Sequence, residues 1–107
     1  MERRRCERIP LSLAFEVFGV GRYLGRFWSR DVSQEGLFLK AADPDRLSGR
    51  ILSLRFQTGG VEHRLRGTAI RRVQGQGAGI QLAFWRHADD DAYAAYRKLI
   101  HPGPRAG

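Results

Sequence analysis

Leu11-Ser12-Leu13-Ala14-Phe15-Glu16-Val17-Phe18-Gly19-Val20-Gly21 decides the fold. Leu11, Leu13, Phe15 and Val17 occupy every second position, alternating with Ser12, Ala14, Glu16 and Phe18. That period of two belongs to a strand with one buried face, and the Gly-Val-Gly that follows ends it. The same pattern recurs downstream. Residues 23–30 continue as a second strand and residues 37–40 as a short third one, after which Asp43-Pro44-Asp45 marks a loop over residues 41–49. Leu52, Leu54 and Phe56 alternate again, Thr58-Gly59-Gly60 forms a hairpin turn, and residues 61–73 make a long basic strand. Apolar positions in that strand change parity between Leu65 and Ile70, which predicts a bulge near Gly67. Ala78, Ile80, Leu82 and Phe84 give the last strand.

Six or seven short strands with glycine turns and no intervening helix predict an all-β, six- to seven-stranded antiparallel barrel. The period changes only near the end. Behind Asp89-Asp90-Asp91, residues Ala92, Tyr96, Leu99 and Ile100 share one helical face, with Arg97 and Lys98 toward the C-terminus as the helix dipole favours. Tyr93 and Tyr96 are expected to pack on the barrel. Pro102-Gly103-Pro104 stops the helix. The expected organisation is a flexible basic arm over residues 1–10, a barrel over 11–86, a C-terminal helix over 87–101 and a disordered tail over 102–107.

With 107 residues, the chain accommodates one core. A net charge of +8 favours anionic partners, whether nucleotide, nucleic acid or membrane surface. A single cysteine, Cys6, excludes an internal disulfide, and no apolar run reaches the roughly 18 residues that span a bilayer. A cytoplasmic location follows as an expectation, with no membrane partner. His63, His87 and His101 are too widely spaced for a recognisable metal pattern, and neither a nucleophile elbow nor a phosphate-binding loop occurs. No enzyme is read from these residues, and no cofactor.

Two stretches carry the chemistry. Arg3-Arg4-Arg5-Cys6-Glu7-Arg8 clusters guanidinium groups, which grip phosphate bidentately and stack on bases. Asp31-Val32-Ser33-Gln34-Glu35-Gly36 offers a carboxylate able to accept from the Watson–Crick edge of guanine, with a hydroxyl and a glycine. Their specificities differ. With 17 arginines, chance gives about 2.6 Arg-x-x-x-Arg pairs, so the four present carry no information alone. Asp-x-Ser-x-x-Gly is expected only about 0.03 times.

A basic arm before the first strand, followed by Asp-x-Ser-x-x-Gly at the end of the second, resembles the PilZ-domain family of bacterial cyclic di-GMP receptors. The matching residues are Arg4 and Arg8, then Asp31, Ser33 and Gly36. Gly36-Leu37-Phe38-Leu39 and Gly77-Ala78-Gly79-Ile80-Gln81-Leu82 extend the likeness over residues 3–100. The resemblance implies a ligand-binding set of Arg4, Arg8, Asp31, Ser33 and Gly36, with Arg3 and Arg5 auxiliary and Arg71 and Arg72 weaker candidates. It also implies cyclic di-GMP as ligand; the highly charged arm, with little apolar surface to hold it to the barrel, is expected to order on binding and present a surface to a downstream protein partner. The alternative is a basic barrel that binds single-stranded RNA, with Phe27, Trp28 and Phe38 as stacking platforms.

Overall fold

The computed structural model describes residues 7–47, 51–83 and 91–100. Six strands, β1 (Ala14–Gly19), β2 (Arg22–Val32), β3 (Gly36–Lys40), β4 (Ile51–Thr58), β5 (Val61–Val73) and β6 (Gly77–Leu82), precede one helix, α1 (Asp91–Ile100). The strands close into an antiparallel barrel in the order β1-β2-β3-β6-β5-β4, with β4 pairing back onto β1. The alternation visible in the sequence is what closes it. Phe15 and Val17 of β1, Phe27 of β2, Leu37 and Leu39 of β3, Leu52 and Leu54 of β4, and Ile80 and Leu82 of β6 meet in one core. Closure leaves no barrel strand at an open sheet edge among the described residues.

The loop after β3 contains a short 3-10 turn, Pro44–Leu47, which buries Pro44 and Leu47. Helix α1 buries Ala92, Tyr93, Tyr96 and Ile100 against the barrel, whereas Leu99, expected on the same face, is half-buried. The bulge of β5 lies at Ile70, between Ala69 and Arg71, and not at Gly67. The reason is packing. Gly67 stays in register between Leu52 and Leu82, facing inward where an added Cβ would come within 2.6 Å of Ile80 Cγ2. Ile70 is extruded instead and is 64% exposed. Phe84, expected to end the last strand, lies outside the described residues.

Ahead of β1, Ile9 and Val32 exchange both backbone hydrogen bonds, at 2.7 and 2.8 Å. The buried Ser29 hydroxyl accepts from the Leu13 N–H at 2.8 Å and donates to the Leu11 carbonyl at 2.6 Å. These contacts tie residues 9–13 along β2 and bring Arg8 to the motif turn.

Candidate functional site on the outer wall of β2, β3 and β6

A bulge in β2 builds the site. Ser29 pairs with Leu39 and Asp31 with Phe38, so Arg30 is the extra residue between them. The insertion turns Val32 into the core and sends Asp31 to the outer surface beside Arg30. Phe38 faces outward too, since its neighbours Leu37 and Leu39 both join the core. Its ring is nonetheless only 1% exposed, because the Arg30 guanidinium carbon lies 3.9 Å above its centre.

Asp31 stands between two arginines. Arg8 donates from Nε at 2.8 Å and from Nη2 at 2.5 Å to Oδ1, and Arg30 Nε donates to Oδ2 at 3.0 Å. The aspartate side chain is 16% exposed and each arginine side chain 46%. The carboxylate thus has both oxygens engaged by cations that are themselves half-exposed. Beyond Phe38 the wall is low. Gly79, in register with Phe38 on one side and Arg71 on the other, offers no side chain; an added Cβ would sit about 3.8 Å from Arg71 Cβ and 4.0 Å from Phe38 Cδ2. Asp31, Phe38, Gly79 and Arg71 thus form a row across four strands, with a flat floor and charged ends.

Ser33 and Gly36 serve the turn itself. Ser33 is 3% exposed; its hydroxyl accepts from the Gly36 N–H and donates to the Gly36 carbonyl, both at 3.2 Å, and its own N–H donates to that carbonyl at 2.7 Å. Gly36 does not adopt a positive φ, so it is not needed for conformational freedom. It is needed for clearance: a Cβ there would lie 2.1 Å from the Ile80 carbonyl oxygen of β6. Arg3, Arg4 and Arg5 lie outside the described residues, as does Cys6.

Helix α1 fastens the turn from behind. The Tyr96 hydroxyl donates to the carbonyls of Ser33 at 2.8 Å and Gly36 at 3.1 Å, and the Tyr93 hydroxyl donates to the Gln34 carbonyl at 2.9 Å. Burial pushes the Tyr96 hydroxyl well above the ordinary tyrosine range, so it remains a donor. The sequence reading assigned both tyrosines to packing and missed this second role. It also passed over Arg30. A signal for Arg30 was present, since Phe27 and Val32 are inward positions of opposite parity and an odd insertion between them is a bulge.

The proposed RNA platforms fare unevenly. Phe27 is inside the barrel at 9% exposure and Phe38 lies beneath Arg30, leaving Trp28, 47% exposed, as the open ring among the three.

Comparison with known proteins agrees with this geometry. No curated protein matches the chain significantly. Among solved structures, the PilZ domain of CeSA from a cellulose synthesizing bacterium superposes with a TM-score of 0.68 at 23% identity, covering 89% of this chain and 99% of that one. The PilZ domain model matches residues 2–101. With a family model spanning nearly its whole length and the Asp-x-Ser-x-x-Gly turn on the outer wall of a six-stranded barrel, the chain belongs to the PilZ domain family.

Proposed function

We propose that this chain is a receptor for cyclic di-GMP, bound on the outer wall of β2, β3 and β6. One observation carries the reading: the β2 bulge sets the Asp31 carboxylate outward, paired to Arg8 and Arg30, at the edge of a floor left low by Gly79. Guanine presents N1–H and N2–H donors side by side, which a carboxylate accepts together. The nucleotide would take the place of Arg8 on Asp31, releasing that guanidinium to a phosphate or a guanine face. Arg30, already flat against Phe38, has an open side on which a base can stack. Arg4 would supply a second phosphate contact, with Arg3 and Arg5 adding charge.

The same geometry supports a switch. Ile9 is hydrogen-bonded to Val32, and Arg8 stands next to that anchor. Transfer of Arg8 from Asp31 to the ligand would reposition the arm and present a new surface to a partner protein. Ordering residues costs about 1–2 kcal/mol each in backbone entropy, which places the affinity nearer micromolar than picomolar.

The deciding experiment is calorimetric titration of the chain with cyclic di-GMP, with GTP and a short RNA as controls. Saturable binding of cyclic di-GMP is expected, with a preference over GTP and RNA that Asp31→Ala weakens. Tighter binding of the RNA, with no heat from cyclic di-GMP, overturns the reading.

A further inference from the structure

On the wall away from the nucleotide site, the outer surfaces of β1, β4 and β5 enclose an open recess of about 420 Å³, walled by Phe18, Val20, Ile51, Ser53, Arg64 and Arg66. Its cations are badly placed for stability. Arg55 stands directly opposite Arg64 in the β4–β5 ladder, and Ser53 opposite Arg66. Like charges facing each other across a ladder repel. Among the described residues Arg64 forms no ion pair, whereas Arg55 lies over the Phe18 ring at 4.0 Å and reaches Glu62 at 3.6 Å. Ser53 Oγ and Arg55 Nε are buried with no hydrogen-bond partner, which costs free energy until an acceptor joins them.

The rim is apolar, and one residue in it is strained. Val20 is 68% exposed and Ile51 62%. Val20 has φ +51° and Gly21 φ +74°, the first two central positions of a hairpin turn that suits asparagine or glycine. A β-branched side chain at positive φ is an outlier, and here it holds an apolar group out in water. Local stability explains neither the strained valine nor the unpaired Arg64 set opposite Arg55.

The geometry points to a peripheral membrane-docking surface: Val20 and Ile51 enter the interface of an anionic bilayer, and Arg64, Arg66 and Ser53 bind the phosphate of a lipid headgroup. Exposed apolar side chains beside exposed arginines around one recess match a surface whose charge overlies an apolar layer. No helix among the described residues is long and apolar enough to cross a membrane, and docking needs none. The sequence expectation of no membrane partner rested on that criterion, which a surface patch does not meet. The recess shares β5 with the end of the nucleotide site at Arg71 but has no lining residue in common with that site, so the inference stands apart from the cyclic di-GMP reading.

The test is co-sedimentation of the full chain with vesicles of about one third phosphatidylglycerol in phosphatidylcholine, against phosphatidylcholine alone. Binding to the anionic vesicles only, weakening with salt, is expected. Val20→Asn should lower vesicle affinity by about tenfold while raising the melting temperature, because asparagine tolerates the turn. Arg64→Gln with Arg66→Gln should lower it at least as far, with cyclic di-GMP titration unchanged in all three proteins. Undiminished vesicle binding in Val20→Asn, or no binding to anionic vesicles, overturns the proposal. So does full displacement by soluble glycerophosphate, which would make the recess a site for free phosphate, or by a short RNA, which would make it a nucleic-acid surface.

Discussion

Arg8 places both Nε and Nη2 on a single oxygen, Oδ1, of Asp31, while Arg30 holds the other oxygen. The pair joins the two sequence motifs across 23 residues. Its worth to folding is small, because the Arg8 side chain is 46% exposed and exposed ion pairs contribute at most about 1 kcal/mol. Arg8→Ala should therefore melt close to wild type while binding cyclic di-GMP at least about tenfold more weakly, the about 1.4 kcal/mol scale of a lost charge-assisted contact. Calorimetry and thermal melting on the same sample check both halves. Wild-type affinity in the variant would remove Arg8 from the site.

Asp31→Ala should separate charge from recognition. A carboxylate contributes nothing to phosphate attraction, yet it satisfies the guanine edge, so the variant keeps attraction for anions and loses preference for guanine. The comparison is cyclic di-GMP against cyclic di-AMP. Equal preference in wild type and variant would leave Asp31 with a purely structural role as anchor for Arg8 and Arg30.

The barrel was legible because its core is built by strict alternation: Phe15, Val17, Leu52, Leu54, Ile80 and Leu82 announce their faces by position alone. What broke alternation was harder to place. The β5 bulge showed as a parity change, but the steric demand that keeps Gly67 in register comes from Ile80 on another strand, which no local pattern records. The bulge that turns Asp31 outward was hidden for a different reason. Arg30 and Asp31 are both polar, so either could be read as solvated without any insertion. Gly36 illustrates a third limit, since its clearance from the Ile80 carbonyl is a tertiary fact that resembles a turn requirement in sequence. Of the seven residues singled out for ligand binding, Arg8 and Asp31 come together as a pair, Ser33 and Gly36 brace the turn, and Arg3, Arg4 and Arg5 lie outside the described residues.

Gly36→Ala should damage folding before it damages binding. Its Cβ would meet backbone, the Ile80 carbonyl oxygen at 2.1 Å, and backbone in a closed barrel cannot step aside as a side chain can. Overpacking of this kind costs about 1–3 kcal/mol or more, and each kcal/mol lowers the melting temperature of a domain this size by about 4–8 °C. Gly79→Ala is the control, because its nearest neighbours would be 3.8 and 4.0 Å away, in ordinary contact. The control should melt like wild type. Equal melting of Gly36→Ala and wild type would show that β3 and β6 can separate without cost.

Tyr96 should give the fold an alkaline limit that its removal relieves. Its hydroxyl is buried and donates to the Ser33 and Gly36 carbonyls, so the folded state holds the proton above the ordinary tyrosine value of 10.0, chiefly through desolvation of the phenolate. The unfolded chain has no such restraint and ionises near pH 10. Between those two values the folded protein binds more protons than the unfolded one, so stability falls as pH rises. The contribution is complete below about pH 10 and is lost as pH climbs toward the raised folded value. Tyr96→Phe should be less stable than wild type near neutrality, by about 1 kcal/mol for the missing hydrogen bonds, and should lack this alkaline decline. Tyr23, raised by its hydrogen bond to Glu16, titrates in both proteins and cancels in the difference. Urea unfolding of the two proteins at about pH 8 and about pH 11 is the measurement, with the stability gap expected to close at the higher value. A gap of constant size would mean that the phenol ionises without opening the helix–turn contact. No gap at either pH would mean instead that α1 rests on its apolar side chains alone and that the latch behind the Asp31 turn has no energetic weight.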